Sequence, residues 1–261
     1  MPFEKELEIA RRITEQAGRL AIENRTRGFE SETKPDDSPV TSADRANERL
    51  IVQLLEDAFP DDGLLGEEGA RREGRSGRRW IIDPIDGTRS FMRGIPMWAV
   101  MLALEADGQV VAGVCNLAAL GELYSAAAGL GAYCNGAQIH CSEATAPSRA
   151  MFCLTGFDKV VKRSWGNRLL PWLAQFWSVR SMGGAIDAMC VASRRAEAWI
   201  TMEAKPWDLA PLKIIGEEAG ARFFNLDGGS SIYGGDCVLT IPALEAELRE
   251  FLLDPASPRQ R

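Results

Sequence analysis

Apolar residues recur at helical spacing over residues 3–24, where Phe3, Leu7, Ala10, Ile13, Ala17, Leu20 and Ala21 share a face; this predicts an amphipathic helix. Residues 25–40 are polar and end in Asp36-Asp37-Ser38-Pro39, a loop or hairpin signal. A second helical period covers Ser42 to Ala58, with Ala46, Leu50, Ile51, Leu54 and Leu55 on one side. Thr41 or Ser42 can cap it and Pro60 stops it. Trp80-Ile81-Ile82 is a short apolar run of the kind found in a buried strand. Between the two, residues 69–79 are rich in Arg and Gly and predict a mobile surface loop.

From Met97 to Ile139 the pattern becomes that of a sheet. Met97–Leu104 and Val110–Cys115 flank Asp107-Gly108 and predict a hairpin. Leu123–Ala126 and Ala132–Ile139 continue it, and residues 141–149 look like a connection. Beyond them, strands and helices alternate: strand Met151–Thr155, helix Val160–Leu173, strand Ser178–Arg180, helix Ala185–Ala192, strand Ala196–Met202, helix Asp208–Ala219, strand Val238–Ile241 and helix Leu244–Leu253. Helices packed on sheets in both parts imply a layered α/β architecture. The expected halves are residues 1–140 and 141–261.

The chain has 261 residues, 46% of them hydrophobic, enough for a large core, and a formal net charge of −7. That charge speaks against general nucleic-acid binding, which calls for a basic surface. The single histidine, His140, and six cysteines without a CxxC pair exclude a clustered zinc site. Cys115, Cys134, Cys141, Cys153, Cys190 and Cys237 lie largely among apolar residues, so free thiols and a reducing, cytoplasmic compartment are expected. Charged residues from Glu4 to Arg12 interrupt any signal-peptide core, and no apolar run spans a bilayer, so no membrane partner is expected.

The chemistry concentrates in Asp83-Pro84-Ile85-Asp86-Gly87-Thr88, which follows the apolar strand and ends in a Gly-Thr pair able to open a helix. Asp and Pro alone would suggest a turn. Two carboxylates at a strand end beside a helix start fit hard cations and a phosphate better. Asp83 can bridge two ions, Asp86 can bind one of them, and the Ile85 carbonyl can bind the other. Glu67 and Glu68 precede this motif, and Asp208 follows Trp207 at a predicted helix start. Alone, the glutamates would read as surface charge and Asp208 as a helix cap. In series with the aspartate motif they become candidate ligands, Glu67 above all. Thr88 can cap its helix or touch a cation or a reactive water, and Asp44 can orient it. Lys34 reads as a solvated side chain within reach of a phosphate, and Trp98, Trp165, Trp172 and Trp177 read as core.

The segment Trp80 to Phe91 resembles the signature of the inositol monophosphatase superfamily. Val40-Thr41-Ser42-Ala43-Asp44, Gly66-Glu67-Glu68 and Trp207-Asp208-Leu209-Ala210 resemble its other blocks, in the right order. The resemblance implies an α/β fold arranged as a five-layered αβαβα sandwich, a homodimer, and a site between the two halves. It implies Glu67, Asp83, the Ile85 carbonyl and Thr88 around a first magnesium, Asp83, Asp86 and Asp208 around a second, and Glu67 at a weaker third. Gly87 and Thr88 would hold the phosphate, and Asp44 with Thr88 would help to activate water. The substrate would be a small phosphate ester.

Arg89-Ser90-Phe91 resembles the histidinol-phosphate phosphatases of the superfamily, whereas inositol phosphatases more often carry Asn-Phe there. Thr201 stands where both groups often have a glutamate, which contacts substrate hydroxyls in inositol phosphatases, and Glu203 is a candidate substitute. Gly183-Gly184-Ala185-Ile186-Asp187 is closer to the inositol group, with Gly184 a candidate substrate contact. Histidinol phosphate is the favoured substrate, and inositol 1-phosphate or a range of sugar phosphates is the alternative. A catalytically silent binding protein on the same fold is the non-enzyme alternative.

Overall fold

The computed structural model describes residues 2–253. Met1 and the end of the expected second half, residues 254–261, lie outside the described residues. In chain order the first part holds α1 (Glu4–Arg27), β1 (Ser31–Thr33), β2 (Pro39–Thr41), α2 (Ser42–Ala58), β3 (Gly63–Gly66), β4 (Arg71–Arg72), β5 (Arg78–Asp86), α3 (Thr88–Met92), β6 (Ala99–Ala106), β7 (Gln109–Leu117), β8 (Glu122–Ala127), β9 (Gly131–Cys134) and β10 (Ala137–Ile139). The second part holds β11 (Met151–Leu154), α4 (Phe157–Val160), α5 (Gly166–Leu173), β12 (Ser178–Arg180), α6 (Gly184–Ala192), β13 (Ala198–Met202), α7 (Pro206–Glu218), β14 (Arg222–Phe224), β15 (Asp236–Thr240) and α8 (Pro242–Leu252).

Two large sheets organise these elements. The first has eight strands in the order β10-β9-β8-β7-β6-β5-β3-β4, and the second has five in the order β12-β11-β13-β15-β14. Strands β5 and β6 are buried on both faces, so they read as apolar runs rather than as alternating ones. Trp80, Ile82, Leu102 and Leu104 face a core under α1 and α2, whereas Ile81, Met101 and Ala103 face the opposite way. That second side is shared with Leu209, Leu212 and Ile215 of α7 and with Trp199 and Leu239 of the second sheet. Phe152, Ile200 and Val238 turn outward to a third core with α5 and α8. Three cores between alternating helical and sheet layers make an αβαβα sandwich, the arrangement the family resemblance implies.

Local differences from expectation have local causes. The expected helix Val160–Leu173 is broken into α4 and α5. Gly166 sits so close to the Val160 carbonyl that a Cβ would come within 2.4 Å of it, so the chain folds back on itself there. Trp177 is 69% exposed and is not core, whereas Trp98 and Trp165 are buried. The arginine-rich segment 69–79 is not a free loop. Part of it is β4, paired with β3, and Arg72, Arg75 and Arg78 are tied to Glu56, Asp61 and Asp62. All six cysteines are free, four of them buried.

Candidate active site

The site is built around an irregularity in the central strand. In the pairing of β5 with β6, Asp83 stands opposite Met101 and Asp86 opposite Ala99, so β5 carries an extra residue. Strict alternation would send residues three apart to opposite faces of a sheet. The bulge instead re-aims them. Pro84 suits that position because it has no N–H to leave unpaired, and the Asn47 side-chain amide takes up its carbonyl at 3.1 Å. Gly87 then turns the chain at φ 83°, where a Cβ would also come within 2.8 Å of the Met97 carbonyl. Only glycine accepts both constraints without strain.

The result is an acidic centre assembled from distant segments. Carboxylate oxygens of Asp83, Asp86 and Asp208 all lie within 4.8 Å of one another. Asp83 is 1% exposed, and neither of its oxygens has a hydrogen-bond partner. Asp86 accepts a 3.3 Å hydrogen bond from the Ala185 N–H in the first turn of α6. Asp208 is the third residue of α7 rather than its cap, and accepts the Lys205 N–H at 2.7 Å. It therefore closes the helix start and faces the other carboxylates.

On the opposite side, Thr41 caps α2 by accepting the Ala43 and Asp44 N–H groups at 3.2 and 3.3 Å. Asp44 reciprocates with Oδ2, which accepts the Thr41 N–H and O–H. Its other oxygen accepts the Thr88 hydroxyl at 3.1 Å, and the Ile85 carbonyl is a second acceptor for that hydroxyl at 3.2 Å. The Asp44–Thr88 contact is thus present alongside the cap.

Glu67 lies on a turn that Glu48 of α2 holds by accepting the Glu68 and Ala70 N–H groups, each at 2.8 Å. Gly66 is required there, since a Cβ would lie 2.3 Å from Glu48 Oε2. Lys34 is not solvated as expected. Its ammonium is 2.9 Å from Glu67 and 2.6 Å from Glu68, delivered by the β1–β2 hairpin.

Arg89 donates to the Asp37 carbonyl at 3.3 Å. Ser90 offers its backbone carbonyl to the Arg93 and Ile95 N–H groups. Gly184 lies against Asp86, where a Cβ would sit 4.0 Å from Oδ1. Glu203 is exposed and paired with Lys159 at 2.9 Å and Lys162 at 3.4 Å. Sequence reasoning missed Glu48, Asn47 and the pairing of Lys34, which lie one turn of α2 or one hairpin away from the motifs and carry no motif of their own.

The electrostatics follow from burial. Burial pushes the Asp83 carboxyl well above the usual range, and the neighbouring Glu67, Asp86, Asp208 and Asp44 add to the effect. Asp86 is raised to about 6 by burial, against the opposing Ala185 N–H. Asp208 is raised to about 7, by burial and then by Asp86. Burial also raises Glu67, although Lys34 opposes it, and raises Asp44 against the hydrogen bonds from Thr41 and Thr88. For Lys34, burial disfavours the charge, but Glu68 and Glu67 outweigh it and the pKa rises.

Buried carboxylates that repel one another fit a divalent cation with oxygen ligands. The two unpartnered oxygens of Asp83 are the donors such an ion would engage.

Comparison with known proteins agrees with this geometry. The chain is 40% identical over 232 residues to a histidinol-phosphatase of Chlorobaculum parvum, covering 88% of this chain and 90% of that protein. It is 34% identical over 222 residues to an inositol-1-monophosphatase of Rhizobium meliloti, covering 83% of each. Its fold superposes on the extragenic suppressor protein SuhB of Bartonella henselae with a TM-score of 0.88 at 27% identity, covering 97% of this chain and all of that one. The profile of the inositol monophosphatase family matches residues 4–255. An acidic centre on an αβαβα sandwich, matched along nearly the whole chain, makes this protein a member of the inositol monophosphatase family of phosphatases.

Proposed function

We propose that the protein is a magnesium-dependent phosphomonoesterase whose substrate is histidinol phosphate, releasing histidinol and phosphate. The observation that carries the cation chemistry is Asp83, a fully buried carboxylate with both oxygens unpaired, grouped with Asp86 and Asp208. Glu67, Asp83, the Ile85 carbonyl and Thr88 would hold one magnesium ion, and Asp83, Asp86 and Asp208 a second. Glu67 would also serve a weaker third. Bound magnesium neutralises a phosphate dianion, makes water a better nucleophile near neutral pH and stabilises the leaving alkoxide.

The protein's own groups supply the rest. Asp44 accepts a hydrogen bond from the Thr88 hydroxyl at 3.1 Å, which leaves a lone pair of the Thr88 oxygen to accept from an attacking water. Asp44 and Thr88 thereby orient the nucleophile. Gly87 and Thr88 shape the cradle for the phosphoryl oxygens, with Arg89, Ser90, Gly184, Glu203 and Asp208 around the remainder of the substrate. Attack is in line by water, without a phosphoenzyme.

Arg89-Ser90-Phe91 and the 40% identity to a histidinol-phosphatase support the substrate. The Gly183–Asp187 segment and the inositol-1-monophosphatase relative favour inositol 1-phosphate as the second reading. We place the enzyme in the cytoplasm as a homodimer. The test is phosphate release from histidinol phosphate and from inositol 1-phosphate in magnesium. A higher kcat/KM for histidinol phosphate is expected, and the reverse order would promote the second reading. Failure to hydrolyse any phosphomonoester would leave the silent-binder alternative.

A further inference from the structure

Asp187 is fully buried on α6 and lies outside the group formed by Asp83, Asp86 and Asp208, although its charge acts on Asp86. Its carboxylate is directed backward, onto the turn that leads into its own helix. It accepts the Met182 N–H at 3.1 Å through Oδ1, and the Gly183 N–H at 3.4 Å through Oδ2. The Thr155 hydroxyl donates to Oδ2 at 3.3 Å, and the Cys153 thiol is a further partner. Thr155 in turn accepts the indole N–H of Trp199 at 3.0 Å, and its own N–H is held by the Ile200 carbonyl at 2.9 Å. The entry turn of α6 is therefore clamped to β11 and to β13, the strand that leads on to Asp208. Gly183, at φ 128°, gives the turn its shape, and the two residues that follow it are those that meet Asp86. Gly184 lies beside Oδ1, and the Ala185 N–H donates to Oδ2.

We propose that Asp187 is a positioning residue: by fixing the Met182–Gly183 turn it holds the Ala185 N–H on Asp86 and so sets the affinity of the acidic centre for its cation. The proposal rests on the magnesium reading of that centre. Asp187 need not touch the ion or the substrate. It aims one oxygen of Asp86 by occupying the other with a fixed backbone donor, as hydrogen bonds behind a ligand generally do. Without the clamp, Ala185 is free to leave Asp86, and the carboxylate can rotate away from Asp83 and Asp208.

The experiment is magnesium titration by calorimetry of the full chain stripped with chelator, with circular dichroism to confirm folding. Asp187→Ala should weaken magnesium binding by roughly 10- to 100-fold, the usual effect of losing such a partner. Asp187→Asn keeps an oxygen able to accept the Met182 N–H and should recover most of the affinity. Thr155→Val, which removes one donor but leaves the carboxylate, should weaken binding by a few-fold. A folded Asp187→Ala protein that binds magnesium like the wild type would overturn the proposal. So would an Asp187→Asn protein no better than Asp187→Ala, because positive rescue is what separates position from charge. If Asp187→Ala does not fold, unchanged binding in Thr155→Val overturns it equally. Wild-type protein that takes up no magnesium removes the cation reading and this inference with it, a result distinct from any difference among the variants.

Discussion

Asp62 and Asp83 are two aspartates of equal burial and opposite circumstance. Each is 1% exposed; Asp62 immediately precedes β3 and Asp83 lies on β5. Asp62 is saturated: it accepts the Ser76 hydroxyl at 2.7 Å, two Arg78 guanidinium N–H groups at 3.0 and 2.9 Å, and the Trp80 indole N–H at 3.0 Å. Asp83 has no partner at all and faces other carboxylates. Burying an ionised carboxylate is costly unless it is paired and hydrogen-bonded. The first aspartate meets that condition with protein groups and is structural. The second meets it only with a cation from outside, which is why a fold can carry it.

The sharpest way to break this comparison is to neutralise each aspartate in turn. Asp83→Asn should lower kcat by ~1,000-fold or more, because several kcal/mol of charge stabilisation in the transition state go with the cation. Its stability in chelator should be unchanged or higher, since a buried uncompensated charge has been removed. Asp62→Asn should do the reverse, costing ~2 kcal/mol or more by breaking the buried pair with Arg78, with kcat per folded molecule preserved. Urea unfolding beside steady-state kinetics decides the matter. A strongly destabilised Asp83→Asn, or an inactive but stable Asp62→Asn, would erase the distinction.

A smaller effect is expected at the pair that combines both kinds of role. Thr88→Ala and Asp44→Asn should each cost about a hundredfold in kcat, as expected for groups that position a proton transfer. The double variant should be little worse than either single one if they act as a unit. Asp44 also closes the capping box of α2 by accepting the Thr41 N–H, so Asp44→Asn should lose about 1 kcal/mol of stability as well. Fully additive losses in kcat would reduce the pair to a cap and a neighbour.

The acidic centre should also register in the pH dependence of stability without magnesium. Asp86 and Asp208 are raised to about 6 and about 7, mainly by burial, against about 4 in an unfolded chain. The folded protein therefore binds protons that the unfolded chain releases. This contribution is full below pH about 4 and is lost as pH rises through the folded values. In chelator the urea midpoint should be lower at about pH 8 than at about pH 5.5, and saturating magnesium should abolish most of that fall. An equal midpoint at both values would remove the argument for uncompensated charge.

The least effect belongs to the exposed end of the Asp62 region. Arg75 and Asp61 form a 2.6 Å pair with side chains 86% and 59% exposed. Such pairs contribute less than about 1 kcal/mol, so Arg75→Ala should leave the unfolding midpoint and kcat nearly unchanged.

Much of this protein was legible in the order of its residues. The helix over residues 42–58, its stop at Pro60 and the hairpin at Asp107-Gly108 were read correctly because caps, turns and periodicity act over a few residues. The layered α/β class and the acidic motif around Asp83 were likewise visible, since a double-sided buried strand and a Pro-Gly-punctuated carboxylate pair leave a local trace.

Other features were decided only when the chain closed on itself. Lys34 meets Glu67 across 33 residues and Asp86 meets the Ala185 N–H across 99. No periodicity marks such pairs, because each half is an ordinary polar residue in its own segment. The same is true of Arg78, which looks like loop charge until Asp62 is found beneath it. The sequence by itself determined most of the elements and the carboxylates carried by the end of β5. The tertiary structure decided which carboxylates find protein donors and which, like Asp83, are left for a cation, because that depends on which long-range partners burial brings within hydrogen-bonding distance.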